Sequence, residues 1–171
     1  EAYTGHDLSV KFALLIHDIG KPLCYTEDEN GGHFYGHSVP SRDIAERVAD
    51  RLKFDNKTKE EILELVLYHD SVMEPTVRTV KRWLNRIGAE RLFQLLDVKT
   101  ADIAAHADNT QTERINQYLA VREVAKEVLA SEQCFRLKDL EINGRDVMSL
   151  GVEKGRQIGE ILNCLLEGVI S

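Results

Sequence analysis

The stretch Val10-Lys11-Phe12-Ala13-Leu14-Leu15-Ile16-His17-Asp18-Ile19-Gly20-Lys21-Pro22 decides how the chain folds. Apolar residues fill it from Val10 to Ile16, broken only by Lys11, and the run then delivers an adjacent histidine and aspartate. Leu8, Phe12, Leu15 and Ile19 recur at helical spacing, and the remaining positions are nearly as apolar. Such a helix belongs in the middle of a core. Gly20 is expected as the C′ residue that ends it, and Pro22 cannot continue it. A His-Asp pair on the last turn of a buried helix can offer an imidazole nitrogen and a carboxylate oxygen to one cation. Taken alone, it reads more readily as a dipole-stabilised C-terminal histidine beside a solvent-facing aspartate.

Downstream, Leu23 to Tyr25 and His33 to Tyr35 flank an acidic segment ending Asn30-Gly31-Gly32, the pattern of a short β-hairpin. Ser38 is the expected N-cap of a helix to about Lys53, with Pro40 tolerated in its first turn and Ile44, Ala45, Val48 and Leu52 inward. Thr58 and Glu61 have capping-box spacing ahead of the stripe Ile62, Leu65, Val66, His69. Val77, Val80, Leu84 and Ile87 form a further helix closed by Gly88, and Leu92, Leu95, Lys99, Asp102 and His106 share a stripe on the next. Asp108 or Thr110 can cap a helix to about Ala130, with Ile115, Tyr118, Val121, Ala125 and Val128 inward. A loop around Cys134 leads to Leu137–Leu140. Asn143-Gly144-Arg145-Asp146 then reads as a capped tight turn, and a last helix carries Ile158, Ile161, Leu162, Leu165 and Val169 inward. The expected fold is all-α: a helical bundle with one short hairpin and a small C-terminal helical tail. The expected division is a metal-binding helical domain over residues 1–108 and a tail over 109–171.

The 171 residues, 43% hydrophobic and 30% charged, suffice for a real core. No run is long enough to span a membrane, and the opening Glu1-Ala2-Tyr3-Thr4 has no signal-peptide layout. That opening, without an initiator Met, is expected of a piece excised from a longer polypeptide. Cys24, Cys134 and Cys164 form no CxxC motif and read as small buried hydrophobes in a reducing, cytoplasmic compartment. A net charge of −7 argues against indiscriminate nucleic-acid binding but leaves room for a local basic face.

The polar residues on inward stripes carry the chemistry. His69 lies with Ile62, Leu65 and Val66, and Asp102 with Leu92 and Leu95. A buried carboxylate needs a cation, a metal or a strong donor. Lys99 at i−3 can supply an ion pair, and pairing and ligation are equally open for Asp102. His17-Asp18, His37, His69 and Asp102 together give three imidazoles and two carboxylates on or beside helices expected to pack on the first one. Such ligands suit Mg²⁺, Mn²⁺, Ni²⁺ or Fe, and the absence of cysteine ligands argues against structural zinc. A cation so held polarises a phosphoryl oxygen, and Lys21 then reaches a phosphate oxygen as a point charge. Separately, Arg78, Lys81, Arg82 and Arg86 form one basic helix face, able to track a phosphate backbone or simply to be solvated.

Taken together, "LLIHDIGKP", "GGHFYGHS", "VLYHD" and "ADIAAH" resemble the HD superfamily of metal-dependent phosphohydrolases. With "VKRWLNRIG" and "LKDLEINGRDVMSLGVEKGRQIGEILNCLLE", the chain from about Leu8 to Gly168 resembles the carboxy-terminal half of bacterial CCA-adding tRNA nucleotidyltransferases of the poly(A) polymerase-like family. The resemblance implies His17, Asp18 and Asp102 as ligands of a principal divalent metal, His37 and His69 for a second metal or a phosphate, and Lys21 with Asp18 as catalytic groups. It implies tRNA as partner, a nucleotide or 2′,3′-cyclic phosphate as substrate, and the basic face from Arg78 to Arg86 as an RNA contact. The family's nucleotidyltransferase head, with its Gly-Ser pair and Asp-x-Asp carboxylates, is not in this sequence and is expected upstream in the parent chain. The superfamily's additional histidine ahead of the HD pair has no counterpart at proper spacing, His6 being only eleven residues before His17 and expected in an entry loop. Two alternatives remain at this level: an RNA-binding scaffold with a vestigial HD site, and a stand-alone HD nucleotide phosphohydrolase.

Overall fold

The computed structural model describes residues 8–29, 31–105, 111–131 and 135–170. Readings that fall on His6, Asn30, His106, Asp108, Thr110 and Cys134 lie outside them. The element order is α1 (Leu8–Ile16), a 3₁₀ turn (Lys21–Leu23), β1 (Thr26–Asp28), β2 (Gly31–His33), α2 (Ser38–Arg51), α3 (Asn56–Tyr68), α4 (Val77–Ala105), α5 (Gln111–Ala130), a second 3₁₀ turn (Leu137–Asp139), α6 (Gly144–Ser149) and α7 (Arg156–Ile170). The fold is all-α with a single antiparallel hairpin among the described residues, as the periodicities predict. No helix among them is long and apolar enough to cross a membrane.

Two compact units interleave along the chain. One takes Glu1–Val72 and Glu90–Leu119, the other Met73–Ala89 and Ala120–Ser171. In the first, α1 and α2 both pack on α3. Val10, Ala13 and Ile16 of α1, Ile62, Leu65 and Val66 of α3, and Leu92, Leu95 and Leu96 of α4 are buried in this unit. On α2 the buried row is Ser41, Ala45 and Ala49, while Leu52 is exposed. The small row admits a close helix approach that Ile44, Val48 and Leu52 could not.

Gly20 departs from expectation. Its φ of −85° is right-handed, so it is no left-handed C′ residue. It is glycine for lack of room: a Cβ there would lie 2.5 Å from the Ser41 nitrogen and 2.8 Å from the His37 carbonyl oxygen. The Gly20 N–H donates to the buried Ser41 hydroxyl at 2.9 Å. The end of α1 is thereby held against the start of α2.

The caps also shift by a few residues. Ser38 is the first helical residue of α2, preceded by His37, which makes no side-chain cap. Asp55, not Thr58, caps α3, its carboxylate accepting from the Thr58 nitrogen at 3.0 Å and hydroxyl at 2.6 Å. The hairpin pairs Thr26 with His33 and Asp28 with Gly31, so it forms nearer the turn than the apolar flanks suggested.

In the second unit, Val80, Trp83 and Leu84 of α4, Val121, Ala125 and Val128 of α5, and Leu166 and Ile170 of α7 are buried. The last helix is rotated from expectation, since Leu165 and Val169 are exposed. One residue of shift turns a helical stripe by about 100°, and an apolar helix with several candidate stripes leaves that choice to packing. Gly88, with φ +78° and ψ 170°, breaks α4 where the sequence predicts the break. Asn143 caps α6 as expected, accepting from the Arg145 nitrogen at 2.9 Å while Asp146 accepts from its own nitrogen at 2.8 Å. Cys24 is half-buried and Cys164 exposed, and both are free thiols rather than core residues.

Candidate functional site

Three histidines from three segments converge on one carboxylate, all within the first unit. His17 follows α1, His37 precedes α2 and His69 ends α3. Each ring is aimed by the same local device. Nδ1–H of His17 donates to the Leu14 carbonyl at 2.9 Å, that of His37 to Phe34 at 2.9 Å, and that of His69 to Val66 at 2.7 Å. The carbonyl three residues earlier therefore selects the tautomer, and every Nε2 is left to point inward.

Asp18 receives them on both oxygens. Its Oδ2 lies 3.3 Å from His17 Nε2 and also accepts from the Lys21 ammonium. Its Oδ1 lies 3.1 Å from His37 Nε2 and 3.6 Å from His69 Nε2. Asp102 adds a second carboxylate, 3.2 Å from His17 Nε2. The sequence-derived set His17, Asp18, His37, His69 and Asp102 is thus brought together, with Lys21 at its edge.

The electrostatics follow from burial and these contacts. Burial works against a charged His17, yet its hydrogen bonds to Asp102 and Asp18 push the imidazole up to about 10. Burial would raise Asp18, but His17, His69 and Lys21 hold it well below the usual carboxylate range. His37 and His69 present Nε2 atoms 3.0 Å apart. Each ring's Nδ1 donates to a carbonyl, so the two Nε2 atoms are the ones that face each other. Two nitrogens at that spacing match adjacent ligands of an octahedral cation with bonds of about 2.1 Å. His17, Asp18 and His69 each offer a ligand atom, all within 4.8 Å of one another. The donor set therefore fits a divalent cation.

Lys99 does something other than the ion pair that spacing allowed. It is buried, and its ammonium donates to the backbone carbonyls of His69 and Ser71. Burial pushes it down to about 8, Arg114 in the same sense, with Asp70 and Asp102 opposing. It thus satisfies carbonyls at the end of α3, where a helix leaves them without partners. Beside the cluster opens a cavity of about 340 Å³, lined among others by His37, His69, Lys99, Asp102, Arg114 and Tyr118. Arg114 and Tyr118 went unrecognised as site residues: Tyr118 was legible as inward, but nothing in its local pattern marks a cavity wall.

The basic residues Arg78, Lys81, Arg82 and Arg86 lie on the first half of α4, in the second unit. Arg78, Arg82 and Arg86 are exposed and Lys81 half-buried, on the side away from buried Val80 and Leu84. Arg82 pairs with Glu167 of α7 at 3.1 Å, and the Arg86 guanidinium sits 5.2 Å from the Trp83 ring centre.

Comparison with known proteins now bears on the chain. The A-adding tRNA nucleotidyltransferase of Deinococcus radiodurans is 26% identical over 164 residues, covering 94% of this chain and 37% of that protein. The CC-adding tRNA nucleotidyltransferase of Thermus thermophilus is 28% identical over 165 residues, covering 94% of this chain and 36% of that protein. The chain thus spans little more than a third of the length of these relatives. No solved structure matches it. The family described as tRNA nucleotidyltransferase domain 2 matches residues 39–171, a stretch that begins after His37 and holds His69, Asp102 and the basic face. With that much of its length matched, the chain belongs to the tRNA nucleotidyltransferase domain 2 family.

Proposed function

We propose that this chain is the tRNA-holding body of a tRNA nucleotidyltransferase and that its histidine–aspartate cluster is a divalent-metal phosphohydrolase site of the HD type. One observation carries the second part: three Nε2 atoms, each with its tautomer set by a backbone carbonyl, converge on Asp18. His17, Asp18, His37, His69 and Asp102 hold the cation. A bound Mg²⁺, Mn²⁺, Ni²⁺ or Fe supplies polarisation of a phosphoryl oxygen and a lowered pKa for water. Lys21, beside Asp18, neutralises a non-bridging phosphate oxygen, and Lys99 and Arg114 make the cavity wall attractive to the rest of an anionic substrate. The substrate class is a phosphate ester on a nucleotide end, such as a 2′,3′-cyclic phosphate, and the macromolecular partner is tRNA, held through the basic face of α4.

Elemental analysis of the protein and of Asp18→Ala, each loaded with Mg²⁺, Mn²⁺, Ni²⁺ or Fe²⁺, tests the reading. Near-stoichiometric metal is expected in the parent protein and is lost in the variant, together with metal-dependent cyclic-phosphate hydrolysis. Metal retained by Asp18→Ala, or none bound by either, rejects the metal site.

A further inference from the structure

We infer that Tyr25 and Phe34 form a nucleobase-stacking subsite for the nucleotide whose phosphate Lys21 receives; the phosphate end of this inference rests on the proposed function. Three of the aromatic side chains, Tyr25, Phe34 and Tyr35, occur within eleven residues around the hairpin, and all three are exposed. Such a cluster on a small hairpin is costly unless something covers it.

Two of them are built into a platform. The Tyr25 and Phe34 ring centres are 5.5 Å apart with their planes tilted by 50°, so they offer two inclined aromatic faces. The Tyr25 ring lies over Gly32, where a Cβ would come within 2.6 Å of Cε2, so the ring's position depends on that glycine. The Lys21 ammonium stands 5.8 Å from the Phe34 ring centre while it pairs with Asp18. The Phe34 carbonyl orients His37 at 2.9 Å. The platform is therefore continuous with the cluster on both sides of Phe34: through its ring to Lys21 and Asp18, through its backbone to His37. An aromatic face next to an ammonium next to a phosphate-directed centre is the order of groups in an unpaired nucleotide, base then phosphate. Stacking on such faces accepts any base and is worth about 1–3 kcal/mol per base. His33 and Tyr35 are stacked on each other with rings 5.0 Å apart and are occupied in that contact.

Calorimetric titration of the metal-loaded protein with AMP, CMP and ribose 5-phosphate tests this. Both nucleotides are expected to bind about 5- to 150-fold more tightly than the base-free phosphate, which is the stacking energy converted at about 1.4 kcal/mol per tenfold. Tyr25→Leu and Gly32→Ala should erase most of that difference while ribose 5-phosphate affinity and metal content stay unchanged. Phe34→Leu should do the same if His37 still holds metal, which the elemental analysis reads directly. Equal affinity for nucleotides and ribose 5-phosphate in the parent protein overturns the subsite, as does a Tyr25→Leu variant that keeps the full nucleotide preference. Absence of bound metal fails the proposed function instead, and is read separately.

Discussion

The two charged regions of this chain are built on opposite plans. Around Asp18 the imidazoles, both carboxylates and Lys21 are half-buried or buried and face named partners within 3.6 Å, and backbone carbonyls orient the three imidazoles. On the first half of α4, Arg78, Arg82 and Arg86 stand in solvent, and an ion pair from Arg82 to Glu167 joins two exposed side chains. The first arrangement has few ways to relax, so it can discriminate among small ligands by geometry. The second relaxes freely and acts by charge density, as sequence-independent contact with a phosphate backbone requires. Position matters in one and sign in the other.

This contrast can be broken most sharply at Gly20. A methyl group there collides with the backbone of Ser41 and His37, which cannot swing aside as a side-chain tip can. Gly20→Ala should cost about 3 kcal/mol, at the upper end for overpacking, and should weaken metal binding with it. Urea unfolding and elemental analysis check the two effects. An alanine substitution at Arg78, a much larger chemical change but on an exposed side chain, should leave both unchanged.

A pH titration sharpens the comparison next. In metal-free protein the His17 pKa is raised to about 10, so its contribution is complete below its unfolded value of about 6.5 and is lost as pH rises toward 10. Lys99 has the opposite sign: its pKa is lowered to about 8, so above pH 8 the folded state is relieved of a charge that the unfolded chain keeps to about 10.4. Stability in EDTA should fall by about 2 kcal/mol from pH 6.5 to 8, at about 1.4 kcal/mol per unit, and then level off toward pH 10. His17→Gln should flatten the first limb, and unfolding midpoints across pH 6–10 measure it.

The smallest effects belong to the basic face. Arg82→Ala should reduce the slope of log affinity for tRNA against log salt by about 1. Glu167→Gln, which releases Arg82 from its acidic neighbour, should tighten tRNA binding by about two- to five-fold at low salt. Filter binding over a salt series reads both. Neither substitution should alter metal content.

Much of this was legible from residue order because it depends on local periodicity. The apolar run into His17-Asp18, the break at Gly88 and the Asn143 cap each announce themselves within four or five residues. What escaped depends on contacts between segments distant in sequence. Gly20 looks like a helix terminator and is in fact a point of closest approach to Ser41, twenty-one residues away. Lys99 sits at ion-pair spacing from Asp102 but finds the carbonyls of His69 and Ser71, just past the end of α3, within reach. The choice of Leu166 over Leu165 on α7 is a rotation about the helix axis, which an apolar stripe wide enough for either cannot decide. The residues of the candidate site were legible as a set, but the contacts that join them were not: the two oxygens of Asp18 meet histidines from three segments.

The carbonyls of Leu14, Phe34 and Val66 have a consequence for how such a site varies among relatives. Half of what orients the imidazoles is made by peptide groups, which every amino acid possesses. Substituting Leu14 or Val66 with another residue that keeps the helix turn leaves the hydrogen bond in place. A search for shared side chains would therefore find the histidines and miss what aims them, and two relatives could differ at all three positions while presenting the same inward-pointing nitrogens.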